Sequence, residues 1–387
     1  MDPGEPDPEP GRIEVLRRRL AQRHGERLFA EGALGPRRDL AGVLAYVLAL
    51  LVHGVTVALV VAGLLLVVLG WGQGALPVIG GLLLGFAVVL RPRFGRLPDD
   101  TPVLRRAEAP QLFALIDEVA AVAGTTGVDA VVVAADANAS VTTYGIRQRR
   151  MLHIGLGYWE ILTPQQRIAL LGHELGHFAN GDTRRTAVIW NALHSLALWH
   201  YFLAPVPEPD LVERITNWVM TPPRWAVYGL LHLLDQLTLR STQRAEYLAD
   251  EASARVGSTD AAAELMDRML VLDSVEVALQ RESVIAQTKG GAGTRRETEQ
   301  GLWERLAARV ESVSEREYER LRRVSVLRGH SADATHPPTH LRRRRVSEGE
   351  QWQAAVRYDE ERAHAIAAEL AAARDRVARV VISDTAC

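Results

Sequence analysis

Cysteine is nearly missing from this chain of 387 residues, which carries one, Cys387. That excludes an internal disulfide framework and any metal site built on several thiolates. Lysine is as scarce: Lys289 is the single lysine among 45 basic residues. With abundant Ala, Val and Leu, this points to the codon bias of a GC-rich, bacterial-type genome rather than to a physical adaptation. An excess of charge is missing too. The formal net charge of -2 offers no electrostatic footprint for nucleic acid. No secretory leader is visible, because the first long apolar stretch starts far from Met1 and lacks a cleavage-site pattern.

Charge disappears altogether from two long stretches. Leu40 to Leu69 is interrupted only by His53 and Thr56, and exceeds the ~20 residues that cross a bilayer. After the glycine-rich turn around Trp71, a shorter run extends from Ala75 to Leu90. Residues 39–91 therefore read as a transmembrane hairpin, with His53 facing the partner helix. Residues 1–38 read as a Pro- and acid-rich disordered tail followed by a basic amphipathic segment. Arg17, Arg18, Arg19, Arg37 and Arg38 precede the hairpin, Arg91, Arg93 and Arg96 follow it, and the connecting turn has no charge. The positive-inside rule places both ends of the hairpin, and everything downstream, in the cytoplasm of a bacterial-type plasma membrane.

The chemistry lies in His173-Glu174-Leu175-Gly176-His177. On a helix the two histidines are i and i+4, so both rings leave one face one turn apart. That is the geometry with which two imidazoles hold zinc, and Glu174 stands beside the water such a metal activates. Thr163-Pro164-Gln165-Gln166 predicts the helix start, as N-cap, proline at the first position and capping-box Gln. Asn180-Gly181 predicts its end.

Around the motif the periodicity predicts a mainly α fold with a small β-sheet (α+β). A helix is expected over Pro110–Ala123, and strands at Asp129–Ala135, after the Asp136–Val141 turn, and at Met151–Leu156. One strand would be an edge able to hold a substrate backbone, but sequence does not say which. Residues 187–204 and 225–239 are apolar yet carry His194, His200, His232 and Asp235. They could span, dip into the membrane or pack as ordinary helices, with Pro205–Pro209 and Thr221-Pro222-Pro223 as linkers. In RSTQRAEYLAD, Glu246 and Asp250 are again i and i+4. Two histidines leave a zinc site one protein ligand short; Glu246 is a candidate for it, with Asp250 placed to orient a ligand imidazole. Lys289–Thr294 reads as a flexible break, and Trp303–Arg323 and Trp352–Val381 as long charged helices. Between these helices, Thr335-His336-Pro337-Pro338-Thr339-His340-Leu341-Arg342 has the composition of a loop with a role.

The order of membrane hairpin, HELGHFANGD, RAEYLAD and THPPTHLR resembles the HtpX-type membrane proteases and their relatives, the CAAX prenyl endopeptidases, which are membrane gluzincins. The resemblance covers roughly Val103 to Arg345 and the preceding hairpin; beyond it, the charged periodicity gives a C-terminal helix over 346–387. The resemblance implies a membrane-anchored zincin-type metallopeptidase domain, taken as 92–345, and one zinc per chain on His173, His177 and Glu246. It makes Glu174 the general base and His336 the group that steadies the oxyanion, with Arg342 a structural partner in the same loop. Asn138 falls at the family's substrate strand, although Ser140 stands where an aromatic is usual and Thr242-Gln243 where Ser-Arg is usual. The implied function is hydrolysis of peptide bonds in polypeptides, chiefly membrane proteins, in membrane quality control. Prenyl-protein processing is the alternative within the enzyme class. A non-catalytic scaffold on a protease fold is the alternative outside it.

Overall fold

A computed structural model describes residues 23, 26, 29, 40–91, 95–179, 183–288, 292–328 and 336–383. The tail at 1–10, Arg37-Arg38, the Asn180-Gly181 stop and Lys289–Gly291 lie outside the described residues, as does most of the N-terminal amphipathic segment. Helices α1 (Leu40–Leu69) and α2 (Leu76–Leu90) come first. Then follow β1 (Val103–Leu104), α3 (Pro110–Ala123), β2 (Ala130–Ala134), β3 (Ala139–Tyr144), β4 (Arg149–Gly155), the single turn α4 (Leu156–Trp159) and α5 (Pro164–Ala179). The rest is helical: α6 (Thr183–Phe202), α7 (Leu211–Gly257), α8 (Thr259–Met269), α9 (Leu272–Thr288) and α10 (Ala292–Gln300). The last four are α11 (Leu302–Glu311), α12 (Glu315–Arg328), α13 (Thr339–Glu348) and α14 (Glu360–Ser383).

The chain divides into two compact units. The first holds the described residues within 95–181 and 243–387. The second holds 35–94 and 182–242.

In the second unit, α1 and α2 pack together, and α6 packs against α1. Among the described residues α1 is the one helix both long and apolar enough to cross a membrane, at 30 residues and a mean hydropathy of 2.6. Its small residues Ala45 and Ala49 meet Ala192 and Leu196 of α6 and Leu234 of α7. His53 does face a neighbouring helix, but the partner is α6, where Nε2 lies 3.0 Å from the Val188 carbonyl oxygen. The expected break at Thr221-Pro222-Pro223 is not there: α7 runs through it for 47 residues. Two prolines remove two amide donors but keep a helical φ. The helix-forming sequence on either side prevails, and the Thr221 hydroxyl donates to the Asn217 carbonyl at 2.7 Å.

In the first unit a four-stranded sheet has the order β1-β2-β4-β3. β2 and β4 are parallel, and the two outer pairs are antiparallel. β3 is thus an edge, which the sequence left open. The apolar stripe Leu112, Leu115, Ile116 and Val119 of α3 is fully buried in a core shared with Val131, Val133, Ile154 and Leu171. Gly124, at φ 82°, ends α3 in the left-handed conformation that glycine tolerates best. Two expected helices are shorter than the periodicity suggests. Trp303–Arg323 is interrupted at Ser312–Ser314, where the Glu317 amide reaches the Ser314 hydroxyl and starts α12 afresh. Residues 349–359 are not helical, because their backbone is bonded elsewhere. The Trp352 carbonyl accepts from Thr259 N–H, Trp352 N–H donates to Thr259 Oγ1, and Val356 N–H donates to the Val256 carbonyl.

Candidate active site

The His-Glu motif sits where its own helix start and a close helix pairing put it. Thr163 and Gln166 form the reciprocal capping box: Thr163 N–H donates to Gln166 Oε1 at 3.1 Å, and Gln166 N–H to Thr163 Oγ1 at 3.4 Å. Three turns on, His173 and His177 project from one face with ring centroids 4.9 Å apart. The last turns of α7 cross α5 over small residues. A Cβ at Gly176 would lie 3.0 Å from Ala252 Cβ and 3.1 Å from Ala249 Cα, and one at Gly172 3.1 Å from Val256 Cβ. Ser253 closes the seam with a 2.7 Å hydrogen bond to the Ala169 carbonyl.

This approach delivers Glu246 to the histidines. Its carboxylate oxygens lie 3.6 Å from His173 Nε2 and 3.6 Å from His177 Nε2. One ligand atom from each of His173, His177 and Glu246 falls within 4.8 Å of the others. Glu246 Oε2 is shut off from solvent without a hydrogen-bond partner among the described residues. Its nearest cation is Arg342, an ion pair that leaves the oxygen's hydrogen-bonding capacity open to a further cation. Two imidazole nitrogens and one carboxylate, converging from buried and, for His177, half-buried positions, are a donor set that fits a divalent metal ion.

Around this trio the side chains are held rigidly. Asp250 Oδ1 is 3.0 Å from His173 Nδ1, so the ring donates there and turns its Nε2 lone pair to the cluster. Arg342 grips Asp250 with two bonds, Nε to Oδ2 at 2.9 Å and Nη2 to Oδ1 at 2.6 Å. Its Nη1 lies 3.3 Å from Glu246 Oε2. Arg342 is thus a structural partner of both acids.

The charges follow from burial set against pairing. Burial pushes the Glu174 carboxyl up to about 7; the charge of His173 opposes this and that of Glu246 reinforces it. For Asp250 burial is outweighed by Arg342, which holds the carboxyl far below its usual range. Glu246 is held low in the same way, by Arg342 and the neighbouring histidines. His177 is lowered to about 4, first by desolvation, although 27% of its side chain still faces the cleft. For His173 burial is overcome by the bond to Asp250, which raises its affinity for a proton.

His336, at the start of the THPPTHLR segment, brings Nε2 to 3.4 Å from Glu246 Oε1 and keeps 29% of its side chain exposed. Pro337 and Pro338 behind it are buried. His340 faces a different groove, lined also by Asp267, Arg322 and Arg343. Asn138 is not part of the cluster. It opens the edge strand, accepting the Ala139 N–H on its side chain at 2.9 Å and the Gly155 N–H on its carbonyl at 2.8 Å. β3 itself packs against α5. One residue was passed over in the sequence: Tyr158 of α4 is buried, and its phenol is pushed up first by burial, with Arg342, Glu174 and Asp250 close enough to act on it. Nothing in the local pattern marks it, because it precedes the motif in an apolar turn.

Residues 106–350 match the family described as Peptidase family M48. Among curated proteins the chain is similar to Protease HtpX of Pseudomonas putida (strain GB-1), at 25% identity over 148 residues, 37% of this chain and 49% of that one. It is also similar to Protease HtpX of Stutzerimonas stutzeri (strain A1501), at 26% identity over 140 residues, 35% of this chain and 47% of that one. The match spans about half the length of these curated relatives. No solved structure matches the chain.

Proposed function

The chain belongs to Peptidase family M48, and on that premise we propose that it is a membrane-anchored zinc endopeptidase that cleaves polypeptides, membrane proteins above all, as part of membrane quality control. One observation carries the reading: His173, His177 and Glu246 converge on a single point with the Glu174 carboxyl adjacent in the helix. Zinc in that position would supply the Lewis acidity that polarises a scissile carbonyl and acidifies a water.

The chain's own groups do the rest. The Glu174 carboxylate accepts the water's proton and passes it to the leaving amine. His336 Nε2–H donates to the developing oxyanion. Asp250 and Arg342 hold His173 and Glu246 in place, so the ligands need no rearrangement as charge develops. Asn138 and the free edge of β3 receive the substrate backbone as an added strand. Residues 39–91 are assigned as the membrane hairpin, 92–345 as the peptidase domain and 346–387 as a C-terminal appendage. The active site lies on the cytoplasmic side, because arginines flank the hairpin and its turn has none.

Glu174→Gln tests the reading directly. The variant is expected to bind as much zinc as the wild type and to lose cleavage of casein or a model membrane protein, since an amide cannot accept the proton. Near wild-type cleavage by zinc-loaded Glu174→Gln removes Glu174 from the mechanism. Absence of zinc from both proteins removes the metal site.

A further inference from the structure

The turn between β3 and β4 is built as a rigid platform. Tyr144 pairs with Arg149 across it. Gly145, at φ 68°, takes the left-handed conformation the turn requires, and Gln148 N–H closes onto the Gly145 carbonyl at 3.1 Å. The Thr143 hydroxyl and the Gln148 side chain brace it further at 2.7 Å. What this platform presents is unusual for a water-facing turn. Ile146 is 83% exposed, and Arg147 and Arg149 beside it are exposed with no ion pair among the described residues. A lone exposed isoleucine means little; the two unpaired arginines and the position of the turn give it meaning.

That position follows from covalent reach. Gly145 N–H donates to the Gly95 carbonyl at 2.9 Å, and Gly95 follows Leu90, the last residue of α2, by five residues. Five extended residues reach at most about 18 Å. The turn is therefore tied to a point five residues along the chain from the last residue of α2. Arg91 and Arg96 on this connection are exposed and likewise form no ion pair among the described residues; Asp99 and Asp100 are the acids nearest in the chain.

We propose that this turn is a second membrane contact, with Ile146 seated at the headgroup–acyl boundary and Arg147 and Arg149 holding acidic lipid headgroups. The inference rests on the assignment of residues 39–91 as a membrane hairpin. Each arginine held at an anionic surface strengthens attachment about fivefold, and a buried isoleucine adds apolar burial that a water-facing turn would forgo. Such a contact would hold the edge strand β3 close to the bilayer surface.

The test uses the full chain in a Cys387→Ser background, carrying one spin-labelled cysteine in nanodiscs of phosphatidylcholine with or without phosphatidylglycerol. Labels replace Ile146, Val57 on the exposed side of α1, or Gln353 on an exposed segment of the peptidase unit. Collision with oxygen marks lipid, and collision with nickel-EDTA-type reagents marks water. Position 57 is expected in lipid and position 353 in water with either lipid. Position 146 is expected to lose nickel accessibility in phosphatidylglycerol discs and to regain it with Arg147→Glu and Arg149→Glu. A label at 146 as water-accessible as one at 353, while 57 is lipid-buried, overturns the inference alone. Shielding at 146 that ignores both phosphatidylglycerol and the charge reversals also overturns it, pointing to a protein neighbour. A label at 57 in water overturns the hairpin assignment itself.

Discussion

Glu174 and His336 carry the most exposed assignments at the scale of single residues. A carboxyl whose folded-state pKa stands near 7 holds its proton where an unfolded glutamate, near 4.3, has lost it. The folded protein then binds more protons than the unfolded one across that window, so stability falls as pH rises through it. In chelator-treated protein, the wild type should lose stability relative to Glu174→Gln between about pH 4.5 and 7, read from urea unfolding at several pH values. Parallel stability profiles would show that Glu174 titrates as an ordinary carboxylate. In the zinc-loaded enzyme a neighbouring cation lowers the same pKa, so the acid limb of kcat/KM should fall below 7. His336 is tested against its neighbour in the same segment. His336→Ala should keep its zinc and lose roughly 10²–10³-fold in kcat, the range for loss of an oxyanion donor. His340→Ala, whose ring faces another groove, should change kcat little. Equal and small effects from both, with a lower Tm, would make the segment a structural one.

At the scale of elements, the site is a product of how closely α5 and α7 approach. Alanine in place of a helical glycine ordinarily gains about 1 kcal/mol in propensity. At Gly176 the new methyl would stand 3.0 Å from Ala252 Cβ and 3.1 Å from Ala249 Cα, so α7 would have to give by a few tenths of an ångström. Gly176→Ala is therefore expected to lower Tm and zinc occupancy together, by prising Glu246 from the histidines. Gly229→Ala in α7, which meets nothing within 4 Å, should leave both unchanged or raise Tm slightly. Thermal melts with metal analysis on the two variants separate a packing effect from a propensity effect, and an unchanged Gly176→Ala would mean that the seam is slack. α5 and its capping box were legible in the residues themselves, because caps and i, i+4 spacing act within a few residues of their cause. The continuity of α7 through Pro222-Pro223 was not, since flanking sequence and side-chain bonds outweighed a local breaker. Nor was the extended stretch at 349–359, whose backbone partners Thr259 and Val256 are remote in sequence.

For the whole molecule the deciding property is sidedness. Arginines before α1 and after α2, with an uncharged turn between, predict that both ends of the hairpin stay on one side. Reporter fusions at Gln73 and after the last residue should show opposite sides, with the C-terminal reporter cytoplasmic. The same side for both would dismiss the hairpin. Of the two apolar helices, α1 alone has the length and hydropathy of a span, and α2 is short at 15 residues. A fusion at Gln73 therefore probes whether α2 returns through the bilayer.

What the chain determined by itself was whatever acts locally or by composition. That includes the helix that carries His173, Glu174 and His177, the apolar hairpin, the mixture of many helices with a small sheet, and the exclusion of a metal site built on several thiolates. Periodicity, capping and hydropathy are written in neighbouring residues. The tertiary structure alone decided which strand is the edge, and that Glu246 reaches both histidines. It also decided that Arg342 clamps Asp250 while touching Glu246, and that His336 and not His340 looks into the cleft. Each of these depends on side chains far apart in sequence meeting at distances of a few ångström. The glycine and alanine seam between α5 and α7 sets those distances, and no local pattern encodes them.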